Sequence, residues 1–422
     1  MGGKHFLRHI FRHEGHAAVK AIKEAENSKN KTYERSYDAS TYRSRTQGAT
    51  LTRAGTTVKK SRETTKAIES TEILEIAKSI AVSHLESLDT TLALLEAFDN
   101  MSPHTLTLRD QALARKEECR EKLAMQENES LKLDDGRKLS YAVYGSPVPK
   151  TTVFYFHAFP SSRLEGRFWH SAAAKLSIRL IAPDRPGMGD ATFQPDRRLL
   201  DWPDDVIAIA DHLRVQHFYI MGLSGGGPYT LACVKSVPKT RLAGAAVISG
   251  LYPVSLGTAG MLPSLRTLLW VSPWVPGLVG SVLDFYMGKA ARNPDPAVFE
   301  GLIMKEIEDR PEADKRVLKD ERNKATFVES TRLGLWQGGQ GPAWESRLYG
   351  SDWGFTLDEL DKEVPLVMWQ GDDDVNCPTT IALKAKEMMP WARFHMKEGE
   401  GHVSYAFSHQ EEVLDDLIRL RA

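Results

Sequence analysis

Residues 218–233 read FYIMGLSGGGPYTLAC. An aromatic and β-branched run closes at Met221, glycines bracket a lone serine, and the pattern then turns helical. The spacing is G-x-S-x-G, made by Gly222, Leu223, Ser224, Gly225 and Gly226. A strand that turns sharply into a helix forces the central residue into strained dihedrals and crowds its neighbours. Glycines relieve that crowding because they lack Cβ. Such a turn holds the Ser224 hydroxyl out above the strand ends. The amide of Gly225 opens the helix and points to where an oxyanion would form. A phosphate loop does not fit, because neither G-x-x-x-x-G-K-[ST] nor G-x-G-x-x-G is present.

Outward from this turn the chain alternates. Upstream, TTVFYF (151–156) and IRLIAPD (178–184) read as strands, and WPDDVIAIADHLRV (202–215) as a helix. Downstream come the strand AGAAVISG (243–250), a long interruption, then VPLVMWQG (364–371), ARFHMKEG (392–399) and a closing helix HQEEVLDDLIRL (409–420). Strands separated by helical patterns imply crossover units and a mostly parallel sheet with helices on both faces. The near-continuous apolar runs suit strands covered on both sides. LKLDDGRKLSYAVYG (131–145) adds two strands about an Asp135-Gly136 turn.

Sites in open sheets of this kind form beyond the carboxyl ends of the strands. A serine nucleophile needs a base and an orienting acid there, in the order Ser, Asp, His. The acid comes from the cluster Asp372, Asp373 and Asp374 after VPLVMWQG; the preceding strand ends in ISGLYP, which offers none. The base is His402 in EGEGHVSY, a glycine-rich loop after the last core strand. His395 lies inside a strand pattern and His409 at a helix start. A second oxyanion donor is expected from the loop after TTVFYF, which reads His157-Ala158-Phe159-Pro160.

Taken together, HAFPSSRLEGR, APDRPGMGD, LLDWPDDV, GLSGGGPYTLAC, DWGFTLDEL, MWQGDDDVNCP and EGEGHVSY resemble the landmarks of the α/β-hydrolase fold superfamily, in its cap-bearing serine hydrolase branch. The likeness runs from about Leu131 to Leu420. It implies Ser224 as nucleophile, His402 as base and Asp374 as acid, since the family's acid falls three residues after the glycine. It also implies the backbone amides of Phe159 and Gly225 as oxyanion donors, with His157 structural. Ala158 departs from the usual glycine of the H-G-x-P loop; if that position requires φ > 0, alanine adds strain. Dehalogenase and epoxide hydrolase chemistry are disfavoured, because those relatives carry a carboxylate where Ser224 stands. No cofactor is expected, and no ligand cluster has the spacing of a metal site.

The remaining segments bound the reading. The chain has 422 residues, 41% hydrophobic and 26% charged, with a formal net charge of −1. That balance excludes nucleic-acid binding by charge alone. Cys119, Cys233 and Cys377 form no CxxC pair, which fits a reducing compartment. Residues 1–65 are expected to be a disordered basic tail, with about fifteen Lys/Arg against about six acids over 1–66. The acid-free start MGGKHFLRHIFRH makes mitochondrial import the alternative to a cytoplasmic location. Residues 66–127 read as a helical extension, 128–251 and 359–422 as the two parts of the core, and 252–358 as a helical cap insert. Within the insert, LRTLLWVSPWVPGLVGSVLDFYMG (265–288) is interrupted by Pro273, Pro276 and Asp284, which opposes a membrane span. Trp270, Trp274 and Phe285 are the candidates to line an apolar pocket. Membrane contact by the cap or the N-terminus is the alternative to a soluble small-molecule partner alone, and the oligomeric state is open. The expected partner is a small, apolar, ester-like molecule, cleaved through an acyl-enzyme. The alternatives are a cofactor-free perhydrolase or acyltransferase using the same three residues, and a non-catalytic ligand sensor.

Overall fold

The computed structural model describes residues 125–420 together with Asp110, Gln111 and Leu113. The expected tail over 1–65, and nearly all of the extension over 66–127, lie outside the described residues. Eight strands form one sheet: β1 (Gln126–Lys132), β2 (Lys138–Gly145), β3 (Thr151–Phe156), β4 (Ile178–Pro183), β5 (Phe218–Leu223), β6 (Leu242–Ile248), β7 (Leu366–Gly371) and β8 (Arg393–Lys397). Their order is β1-β2-β4-β3-β5-β6-β7-β8. The first two pairings are antiparallel and all others parallel. β1 begins at Gln126, so strand reaches two residues into the stretch expected to be helical. There it is held by pairing of Gln126 with Val143.

Alternation along β3 shows why this sheet forms. Val153 and Tyr155 pack on one face with Met221, Leu223 and Trp369; Phe154 and Phe156 pack on the other with Trp202, Ile209 and Leu231. All four β3 side chains are fully buried. Each such side chain contributes about 1.5–3 kcal/mol by leaving water. A one-residue slip would exchange the faces, so packing fixes the register. Helices α1 (His170–Lys175) and α12 (Gln410–Ile418) cover the first face. Helices α2 (Trp202–His212), α3 (Gly227–Ser236) and α11 (Thr379–Met388) cover the second.

β3 has β4 on one side and β5 on the other, so strand order reverses there. Phe156 pairs with Gly222. The loop after β3 and the turn after β5 therefore leave the sheet side by side, at the switch point where such sheets bind ligands.

Between β6 and β7 the chain makes a helical excursion. Its elements are α4 (Pro263–Val271), α5 (Pro276–Leu283), a π turn (Asp284–Gly288), α6 (Lys289–Ala291), α7 (Pro296–Ile307), α8 (Glu312–Val317), α9 (Glu321–Gly334) and α10 (Gln340–Gly350). Pro276 starts α5 at a position that tolerates its missing N–H, and Asp295 caps α7 by accepting from Ala297 N at 3.0 Å. Ala291, Phe299, Ile303, Val328 and Leu335 form a small core of the excursion's own. Among the described residues no helix is long and apolar enough to cross a membrane.

Candidate active site

Ser224 stands at the turn between β5 and α3 with φ +54°, the left-handed region that a serine rarely occupies. The neighbouring glycines are required by close approach. A Cβ at Gly222 would lie 2.4 Å from both Gly226 O and Thr230 Oγ1, and one at Gly226 would lie 2.2 Å from Phe156 O. Gly225 packs against the Phe159 Cβ and the Tyr349 hydroxyl, with no room for a side chain of its own.

Three groups from three strand ends meet here. The Ser224 hydroxyl donates to Nε2 of His402 at 2.8 Å, and His402 Nδ1–H donates to Asp374 Oδ2 at 2.8 Å. All three residues are buried. The tautomer follows from chemistry: an ionised carboxylate only accepts, so Nδ1 carries the proton and Nε2 is free to take one. Asp374 is itself held. Oδ1 accepts from the amides of Asn376 (2.9 Å) and Cys377 (2.8 Å), and Oδ2 accepts from Gln370 Nε2 at 3.1 Å. Its two neighbours do other things: Asp372 accepts from Gly399 N at 2.7 Å, and Asp373 is exposed. The nearby Cys377 thiol bonds Ser224, but burial pushes its pKa well up and keeps it protonated. It is no rival nucleophile.

The expected oxyanion donors lie across from each other. Phe159 N has no acceptor among the described residues, and Gly225 N is in the first turn of a helix, where N–H groups lack partners. The loop that carries Phe159 is tied from below. Ala158 N donates to Glu165 Oε1 at 2.7 Å, and the Tyr155 hydroxyl bonds the same carboxyl. Burial raises the Glu165 pKa, against the pull of those hydrogen bonds. Ala158 is not among the positive-φ residues, so the strain anticipated for alanine at this position does not arise. His157 donates from Nδ1 to Ala158 O at 2.8 Å and accepts from Arg185 N at 3.3 Å. Burial, then the charge of Arg185, holds its pKa well below the ordinary value, so it stays neutral. Of the other histidines, His395 stacks on Trp369 with ring centroids 4.1 Å apart, and His409 lies between Glu400 and Glu412.

The excursion reaches these elements at two points that its sequence does not reveal. Asp314 of α8, fully buried, accepts from the amides of His402 (3.2 Å), Val403 (2.8 Å) and Ser404 (2.8 Å). A Cβ at Gly401 would lie 2.5 Å from Asp314 Oδ1, so the glycine lets the carboxylate in. Tyr349 of α10 donates to Gly225 O at 2.8 Å and also bonds Glu345, which is paired with the buried Arg185. Arg185 in turn donates to Ala158 O at 3.0 Å. The serine turn is thus braced by Tyr349, 124 residues on, the His402 loop by Asp314, 88 residues before it, and the oxyanion loop by Arg185, 27 residues on.

A cavity of about 490 Å³ opens beside His402. Phe168, Val282, Leu302, Ile303, Phe327 and Phe407 supply much of its apolar wall. Trp270, Trp274 and Phe285 do not line it: Trp270 on α4, Trp274 in the turn before α5 and Phe285 in the π turn are 75%, 79% and 60% exposed. Residues 267–283 contain no charge to mark which face is wet, so the pattern carries no helical phase and does not show which aromatics face inward. Val282, Leu283, Tyr286 and Met287 take their place in the wall. Among the described residues no group of His, Cys, Asp and Glu is arranged to hold a metal ion.

Known proteins share this architecture. A bifunctional esterase/perhydrolase of Acinetobacter calcoaceticus is 30% identical over 125 residues, 29% of this chain and 45% of that protein. An uncharacterized hydrolase of Bacillus subtilis (strain 168) is 26% identical over 105 residues, 25% of this chain and 36% of the relative. The chain therefore spans less than half the length of either curated relative. The crystal structure of an enol-lactonase from Burkholderia xenovorans covers 69% of this chain with all of its own, at TM-score 0.50 and 16% identity, a likeness of fold. The family described as "Alpha/beta hydrolase family" matches residues 153–416, from β3 into the closing helix. That span holds the reversal point of the sheet, the strained serine turn and the loops of Asp374 and His402, and by this match the chain belongs to the alpha/beta hydrolase family.

Proposed function

We propose that the protein is a serine hydrolase of carboxylic esters. The observation that carries this reading is the unbroken hydrogen-bonded series Ser224–His402–Asp374 at a left-handed serine turn. Ser224 Oγ attacks the ester carbonyl carbon while His402 Nε2 takes its proton. The amides of Phe159 and Gly225 hold the developing oxyanion. His402 then returns the proton to the leaving alcohol, and Asp374 stabilises the imidazolium between the two transfers. Water, deprotonated by His402, attacks the acyl-enzyme and releases the acid. The helical excursion acts as a cap, whose apolar wall keeps water away and selects an apolar acyl or alcohol portion. The test is hydrolysis of p-nitrophenyl esters of graded chain length, with Ser224→Ala as control. Activity that survives Ser224→Ala would remove this reading.

A perhydrolase reading has one specific support, the bifunctional esterase/perhydrolase among the relatives. Hydrogen peroxide would replace water as acceptor of the acyl group, giving a peracid. Trapping of peracid when an ester and peroxide are supplied together decides between the two acceptors.

A further inference from the structure

The wall of the cavity beside His402 is largely apolar, yet it holds two buried polar atoms without partners: Nη1 of Arg310 and Oδ1 of Asn376. Arg310 follows the C-terminal end of α7, and its side chain makes one hydrogen bond among the described residues, from Nε to Glu306 O at 3.3 Å. Among the described residues no carboxylate lies within ion-pairing distance of its guanidinium. Arg310 is itself half-buried; the more deeply buried Arg163 and Arg185 have carboxylate partners, Asp184 at 2.6 Å and Glu345 at 2.5 Å, while Arg197, with Nε and Nη2 also unpartnered, does not line this cavity.

Burial pushes the Arg310 pKa down, and the charges of Asp314, Glu306 and Asp374 oppose that push. An arginine remains charged in this setting. A buried, charged donor left without an acceptor is costly, and such a cost persists where a ligand supplies the acceptor. The planar guanidinium presents parallel N–H groups that match the two oxygens of a carboxylate. Asn376, two residues after Asp374, adds a second polar contact. Its amide can be turned to offer a donor into the same cavity. Glu306 also faces the cavity, one helical turn before Arg310. Its negative charge opposes a dianionic phosphate more strongly than a singly charged carboxylate.

We infer that Arg310 and Asn376 form a receptor for a carboxylate on the substrate, so that the preferred ester carries an acid group separated from its scissile bond by an apolar stretch. This rests on the esterase reading above. Arg310 is the specificity-determining residue: it selects the ester and takes no part in the proton transfers.

The experiment uses two p-nitrophenyl esters of equal medium chain length, one ending in a methyl group and the other in a carboxylate. The ratio of their kcat/KM values is compared in the full-length protein, Arg310→Gln and Arg310→Lys. Wild type is expected to favour the carboxylate ester. The ratio should fall about ten- to a hundredfold in Arg310→Gln, the range for losing a charged hydrogen bond, and by less in Arg310→Lys. An unchanged ratio, an equal loss on both esters, or a wild type that prefers the methyl ester would each overturn the inference. Hydrolysis of neither ester would count against the esterase reading alone. Arg310 is then judged by the thermal shift produced by the matching free dicarboxylic acid. Stabilisation of wild type that is lost in Arg310→Gln supports the receptor, and no stabilisation of wild type overturns it.

Discussion

The sheet and the helical excursion between β6 and β7 obey different rules. The sheet buries both faces of every central strand, and its residues alternate between two cores. The excursion has a core of five buried residues, and seven of the thirteen large hydrophobic side chains exposed in the described structure fall within 270–286. The sheet delivers Ser224, Asp374 and His402 from fixed strand ends. The excursion delivers about half of the cavity wall and two braces, Asp314 and Tyr349. A sheet's chemistry can be read from local sequence, because the strand end, the turn and the side chain lie within a few residues of one another. A cavity built by packed helices cannot, because its lining depends on helical phase and on contacts between distant segments.

The largest effects should come from the sheet. Ser224→Ala and His402→Ala are each expected to lower kcat on the order of 10⁵–10⁶-fold, and Asp374→Asn on the order of 10⁴-fold. Because the three act as a unit, the Ser224/His402 double variant should be little worse than either single one. Steady-state kinetics on a p-nitrophenyl ester checks this order. A double variant that multiplies the two losses would break the picture of one connected series.

Asp314→Asn tests whether the excursion does more than cover the site. An amide keeps one acceptor oxygen but loses the charge that three backbone N–H groups share, so the His402 loop should loosen. Misplacement of a catalytic group by about 1 Å costs on the order of 10²-fold. The expected result is a kcat loss of about ten- to a hundredfold with KM little changed. Return of activity in Asp314→Glu is not expected, since the longer side chain meets Gly401. A variant with raised KM and unchanged kcat would show that Asp314 serves the cavity and leaves the His402 loop unaffected.

Ala158→Gly should change turnover by no more than about twofold. The alanine is free of left-handed strain, and the hydrogen bond its backbone N–H donates to Glu165 does not depend on the side chain. A fall of 10²-fold or more, the cost of one oxyanion donor, would mean that the methyl group positions Phe159. Smallest of all, Trp270→Ser and Trp274→Ser should leave kcat/KM for a soluble ester within about twofold, since exposed positions contribute little. A tenfold loss in either would return these tryptophans to the substrate path.

Legibility follows the same division. The fold could be read from strand and helix alternation, and Ser224 and His402 from their places just after strand ends. The acid could be narrowed only to Asp372, Asp373 and Asp374 by local pattern; family likeness singled out Asp374. In the structure it is Asp374 that is buried and bonded to His402, while Asp372 bonds the next loop. Glu165, Asp314 and Arg310 carried no signal. Each is an ordinary charged residue in a helical turn or, for Arg310, just beyond one, and its meaning comes from an amide, a loop or a cavity that the fold brings to it. The tryptophans of α4 and the loop before α5 misled because an uncharged run offers no polar positions to orient the helix.

Reaction with a fluorophosphonate probe, mapped by mass spectrometry of the labelled peptide, tests the central claim most directly. An activated serine forms the covalent adduct and a structural serine does not. The account predicts one label on Ser224, absent in Ser224→Ala and strongly reduced in His402→Ala. A folded protein that takes no label at any pH between about 6 and 9 would contradict it.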